Sequence, residues 1–347
     1  MRNKCSWETS DFRGGDAAVL LLWNSFAHLL TDAVCAAALF GPVRASDADF
    51  SLAVVIYNTA AFTTQCLVGL ATDRLRRQEL LAAIGLAVCA CAALLLPGGY
   101  LMALTAGLGN SLFHVAGGTV TLKGARGAGP LGVFVAPGAL GLALGTLWPE
   151  LKAGLCIAAL AVSGLLLALR GREAELTATA SRRRTPWGAV LLLTLAVAVR
   201  AVGGCAVDFP WKAGASMTML TAAFVFAGKS LGGYICSRLG ASRTALLSIP
   251  AAALLTAFCF AWAVPSLAGQ LLLNLTMPVT LWLMYLAMPD SPGFAFGLAA
   301  SALWPGTVAG GMISLTGAWR ALLILATFAA GLAAILYSEK KVSEVPK

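Results

Sequence analysis

A chain of 347 residues that is 59% hydrophobic and only 11% charged, with a mean hydropathy of +0.84, is neither a soluble globular domain nor a disordered one. Apolar runs of about twenty residues, each long enough to cross the hydrocarbon core, recur from end to end, so the composition defines a polytopic all-α integral membrane protein. The formal charge of +9 suggests a polyanion only until the charges are placed along the chain, and their placement excludes nucleic acid as their purpose.

The elements come in the following order. A polar tail, 1–16, precedes span 1 (17–41), and this order of a polar stretch then a long apolar run is not that of a cleaved signal peptide. Within span 1 the segment FAHLLTDAV places His28 and Asp32 one helical turn apart, on one face. Span 2 (51–71) runs into the loop sequence GLATDRLRR, and span 3 covers 79–97. Asn110 and His114 lie in span 4 (99–122), while span 5 (128–148) holds Pro137-Gly138 with Gly141 and Gly145; span 6 covers 153–169. A polar linker, 170–186, leads to span 7 (187–207) with Arg200 and span 8 (214–237) with Lys229. Span 9 (244–264) is followed by span 10 (266–288) with Asn274. Trp304, Pro305-Gly306, Gly310 and Gly311 lie in span 11 (293–315), and span 12 (319–338) ends in a short tail, 339–347.

Of the 24 Lys and Arg residues, 18 fall in the tails and the loops on one side of these spans, four fall on the opposite side, and two, Arg200 and Lys229, lie inside spans. That asymmetry is the positive-inside signal and predicts cytoplasmic termini. Eight of the nine cysteines fall in predicted spans and read as small apolar fillers.

The two halves repeat each other. GLATDRL after span 2 answers GYICSRL after span 8 at an offset of 164, as Asn110 answers Asn274. Pro137-Gly138 answers Pro305-Gly306 at an offset of 168, as Asp32 matches the position of Arg200. Six spans per half make the repeats parallel, related by an axis along the membrane normal. Two six-helix bundles (17–169 and 187–338) joined by a basic linker resemble the major facilitator superfamily. GLATDRLRR is similar to that superfamily's signature after its second span: Gly69, Asp73, Arg74 and Arg77 match, while Arg76 stands where glycine is usual. The resemblance implies a conformational gate built from Gly69, Asp73, Arg74 and Arg77, with Arg238 as the echo in the second half. Gly69 would let two helices approach, Asp73 would face a helix N-terminus, and Arg74 would pair across the halves. SFAHLLTDA, GLGNSLFH, GVFVAPGALGLALG and LLLNLTMPVT further resemble the fosmidomycin-resistance group of drug exporters.

Ionisable groups inside spans are costly in hydrocarbon, and they are functional by default. In the superfamily spans 1, 4, 7 and 10 line a central cavity, so the resemblance turns His28, Asp32, His114 and Arg200 towards it. Asp32 is then the proton carrier and His28 its relay, with Arg200, His114, Asn110, Asn274 and Lys229 binding substrate. Arg200 is expected to hold Asp32 in one state and an anionic substrate group in another. The plainer alternative is a static Asp32–Arg200 bridge locking the halves, with Lys229 snorkelling to the surface. Glycines at 138, 141 and 145 and at 306, 310 and 311 are expected to permit close helix contacts. The resulting expectation is a monomeric, proton-coupled efflux antiporter of a small molecule, with an anionic one favoured by the two cations and one carboxylate inside the spans. Proton-coupled uptake of an organic anion is the second reading. A His/Asp-site membrane enzyme is a third, against which stands the absence of HExxH, GxSxG and P-loop motifs. No cofactor and no metal is expected, because two histidines and one carboxylate spread over separate helices lack a further carboxylate to orient them.

Overall fold

The computed structural model describes residues 15–169 and 184–344. Residues 1–14 of the expected tail, most of the linker 170–186 and the last three residues lie outside the described residues. Among the described residues there are helices and no strands, as a bilayer requires of a backbone with no water to satisfy its polar groups.

All twelve predicted spans are helical, and prolines explain most of their interruptions. Pro278 and Pro305 lack the N–H that would bond the carbonyl four residues back. Span 10 accordingly divides after Asn274 into Ala263–Asn274 and Thr276–Ala287, and span 11 divides after Ser301 into Pro292–Ser301 and Leu303–Met312. Span 5 divides at Ala136, with Pro137 opening the second piece, Pro137–Leu147. The α-helix of span 1, Gly15–Ala38, passes into a wider π turn, Leu39–Val43, four residues before Pro42. Span 2 carries a second π segment, Thr59–Thr63, which no proline explains. Span 12 runs from Gly317 to Glu344, so the expected tail from 339 onward continues the helix.

Ten of these elements are long and apolar enough to cross a membrane. The two that fall short are span 4, Gly99–Gly124, diluted by glycine, threonine, Asn110 and His114, and the divided span 11. Both are shielded by protein: most of span 4 is buried, and the first piece of span 11 packs on span 2.

The repeat is visible in the packing. Span 5 lies on span 1 with Gly141 and Gly145 against the carbonyls of Leu29 and Ala33. In the second half span 11 lies on span 7 with Gly306 and Gly310 against the carbonyls of Ala198 and Val202. A methyl at any of these four sites would overlap backbone, so the small residue sets the interhelical distance. Gly311, expected to take part, has open space around it.

The halves meet along two seams, span 2 against span 11 and span 5 against span 8. At the end carrying the chain termini the first seam closes on Asp73, whose carboxylate accepts the backbone N–H groups of Gly293 and Phe294 at 2.8 Å each. These are orphan amides at the start of a helix, where a negative charge is favoured. The second seam closes on Ser237, whose hydroxyl accepts the Gly129 N–H at 3.1 Å. Further along the first seam, the Ser301 hydroxyl accepts the Cys66 N–H and donates to the Phe62 carbonyl, both at 3.0 Å. The indole N–H of Trp304 donates to the Thr59 hydroxyl at 3.1 Å. The π segment of span 2 therefore abuts the break in span 11.

Candidate functional site

Between the halves lies a cavity of about 500 Å³ lined by spans 1, 2, 4 and 5 and by spans 7, 8, 10 and 11. Spans 3, 6, 9 and 12 contribute nothing to it. The lining extends to Thr146, Thr218 and Lys212 in the loop between spans 7 and 8, so the cavity reaches the end opposite the termini. At the termini end the two seams seal it.

Among the described residues, Asp32 is the one carboxylate in the lining. Its Oδ2 lies 3.4 Å from His28 Nε2, and its Oδ1 lies 3.6 Å from His114 Nε2. The Asn110 amide donates to the same Oδ1 at 3.1 Å. Each imidazole is held from behind: His28 Nδ1 is 2.8 Å from the Phe134 carbonyl, and His114 Nδ1 is 2.9 Å from the Asn110 carbonyl. A carbonyl only accepts, so each Nδ1 carries a hydrogen, and in the neutral ring Nε2 presents a bare lone pair. Two lone pairs and an ionised carboxylate facing one another repel. A proton added to the cluster turns one of the two contacts into a hydrogen bond, and a second proton is needed for the other. Gly138, on span 5, leaves room for the cluster, since a Cβ there would collide with Asp32 Oδ2 and His28 Nε2. The rings of His28 and His114 meet edge to face at 4.3 Å, backed by Phe113 and Phe134.

Across the cavity stand two cations. Arg200 is buried, and its Nη1 donates to the Thr276 hydroxyl at the break of span 10. Thr276 Oγ1 in turn donates to the Leu273 carbonyl. Lys229 lines the cavity from span 8. It does not snorkel to the surface. Tyr57, beside Cys35, and Gln65, whose buried Oε1 has no partner, add polar groups that sequence reasoning missed. The aromatic rings of Phe62 and Phe296 and the side chains of Val225 and Leu303 supply apolar walls.

Three sequence expectations need correction. Asp32 and Arg200 form no ion pair; the aspartate turns to two histidines and Asn110, while the guanidinium turns to Thr276. Asn274 is not part of the cavity lining, and its amide donates to the Gln270 carbonyl at 2.8 Å. Arg74 is exposed and has no ion pair among the described residues; Arg77 and Arg238 are likewise exposed. The two histidines and the aspartate, on two helices, converge with ligating atoms within 4.8 Å of one another. Gly69 packs on the backbone of Gly293 and Phe294, and Arg76 takes the left-handed conformation at φ +52° that a glycine would adopt without strain.

No protein-family model and no curated protein matches the sequence. The fold does have matches among solved structures. A point variant of the E. coli fucose:proton symporter FucP aligns with a TM-score of 0.61 at 12% identity, covering 92% of this chain and 98% of that one. A second structure, FucP as a major facilitator superfamily transporter in the outward conformation, aligns with a TM-score of 0.59 at 11% identity, covering 93% and 99%. The chain is an integral membrane protein with the major facilitator fold, two pseudo-symmetric bundles of six helices.

Proposed function

We propose that this protein is a proton-coupled secondary transporter that exports a small organic anion by alternating access. The observation that carries the reading is the charge layout of the cavity. One carboxylate, in contact with two imidazoles, faces two cations that form no ion pair with a carboxylate among the described residues. Arg200 and Lys229 then take the anionic group of the substrate, Asn110, Gln65 and Tyr57 offer hydrogen bonds, and the apolar walls accept its body. The cluster of Asp32, His28 and His114 carries the proton. In this reading the bundles 17–169 and 187–338 rock as units of a monomer in the bacterial inner membrane, with both termini in the cytoplasm. Opening the cavity to the other side requires release of the Asp73 contact.

Proton-coupled uptake is the second reading. An anion on Arg200 and Lys229 and a proton on Asp32 favour each other electrostatically, and the structural neighbour FucP is a fucose:proton symporter. Thermal stabilisation of the purified protein by a panel of organic anions at two pH values identifies the ligand class. Transport in right-side-out and inverted vesicles then gives the direction. An absence of any anion that stabilises wild type more than Arg200→Ala would refute the substrate reading.

A further inference from the structure

The ligand cluster around Asp32 has a property that proton carriage does not require. His28 Nε2, His114 Nε2 and an Asp32 oxygen come from two helices of the first bundle and point at one another. In a four-coordinate site with metal–ligand bonds of about 2.0–2.1 Å, neighbouring donor atoms sit roughly 3.3 Å apart. The observed contacts of 3.4 Å and 3.6 Å run to the two different oxygens of Asp32, and single ligating atoms of the three residues lie within 4.8 Å of one another, so side-chain movements of roughly 1.5 Å or less bring them to that spacing. Both imidazoles are already in the metal-binding tautomer. Their Nδ1 hydrogens are committed to the carbonyls of Phe134 and Asn110, which orient the rings and raise their basicity as outer-shell partners do in metal sites. The Asn110 amide holds the carboxylate. A methyl group on Gly138 would press directly on Asp32 Oδ2 and His28 Nε2, two of the ligating atoms.

We propose that His28, Asp32 and His114 form a binding site for a first-row transition-metal ion of the Zn²⁺ class, with its fourth position open to the cavity. Two imidazoles and one carboxylate select Zn²⁺ or Co²⁺ over Mg²⁺ and Ca²⁺, which prefer all-oxygen shells. Lys229 and Arg200, in the same lining, work against a bare dication. They are accommodated when the fourth ligand is an anion, so the site takes its metal together with an anionic donor. The inference concerns binding alone and holds whichever way transport runs.

Full-length protein in detergent, titrated with CoCl₂, provides the test. The expected result is saturable binding with the visible absorption of four-coordinate Co²⁺, bleached by Zn²⁺. His28→Ala, His114→Ala and Gly138→Ala should each weaken binding by roughly 10²-fold or more. X-ray absorption of the Zn²⁺-loaded wild type, which needs no variant to fold, should show two imidazoles and no sulfur in the first shell. Absence of saturable Co²⁺ binding in the wild type, sulfur in the zinc shell from one of the nine cysteines, or undiminished binding by the folded Gly138→Ala variant would each overturn the proposal. Proton-driven transport without metal binding would sink this inference alone. Metal binding without transport would sink the transporter reading alone.

Discussion

Asp73→Ala isolates the seal at the termini end of the cavity. The wild-type carboxylate accepts two backbone N–H groups, from Gly293 and Phe294, at 2.8 Å each. Hydrogen bonds to a charged group contribute about 1.5–3 kcal/mol apiece, and the lower figure suits a half-buried aspartate. Together they stabilise the sealed arrangement by about 3 kcal/mol. Both bonds cross from one half to the other, so they vanish when the halves part. Their loss therefore falls on the sealed conformation, and at about 1.4 kcal/mol per tenfold it shifts the equilibrium by roughly 10². Asp73→Asn keeps an acceptor but no charge and should fall between. Spin labels on cysteines replacing Leu75 and Asp290, both exposed at that end, report the separation in an otherwise cysteine-free background. Asp73→Ala should move a large share of the distance distribution to longer values. A distribution identical to wild type, in a protein with an unchanged melting profile, would refute the assignment of this contact as the seal.

Other changes have equally definite outcomes. Asp32→Asn should abolish gradient-driven accumulation in vesicles while thermal stabilisation by the ligand persists, because Asn110 and both histidines remain in place; sustained pumping would remove Asp32 from the coupling. Arg200→Ala should weaken an anionic ligand by about 10–100-fold in binding titrations, the contribution of one hydrogen-bonded charge, with Arg200→Lys intermediate. Arg76→Gly should raise the melting temperature slightly, since a left-handed non-glycine residue costs about 1–2 kcal/mol and glycine's added chain entropy offsets only part of that. Arg76→Val, β-branched at the same φ, should lower it.

Twelve spans were readable because a bilayer demands a long apolar run for each crossing, and such runs are a local property of sequence. The breaks in spans 5, 10 and 11 were readable for a similar reason: a proline removes a particular backbone hydrogen bond a fixed distance away. The π segment Thr59–Thr63 carries no such mark. It lies against the break in span 11, and its shape belongs to that contact.

The cavity was legible one helix at a time. His28 and Asp32 share a face because four residues make about one turn, so their proximity followed from spacing. Asn274 shows where this reasoning stops. It sits at the offset that matches Asn110, yet Pro278 ends the helix just after it, and a residue at a break no longer keeps the azimuth of its counterpart. Opposite charge made Arg200 the expected partner of Asp32, but Coulomb's law between two buried groups operates only at a separation the packing permits. Glycines on spans 5 and 11 set how closely each bundle draws together, and the two seams set how far apart the bundles stand. The sequence by itself determined the class of protein, the number of crossings, the repeat and the residues costly enough to need a purpose, since each depends on local hydrophobicity, charge or spacing. Only the tertiary structure decided that Asp32 meets His114 as well as His28, and that Arg200 waits across the cavity beside Thr276, because partners on different helices are chosen by interhelical distance and rotation.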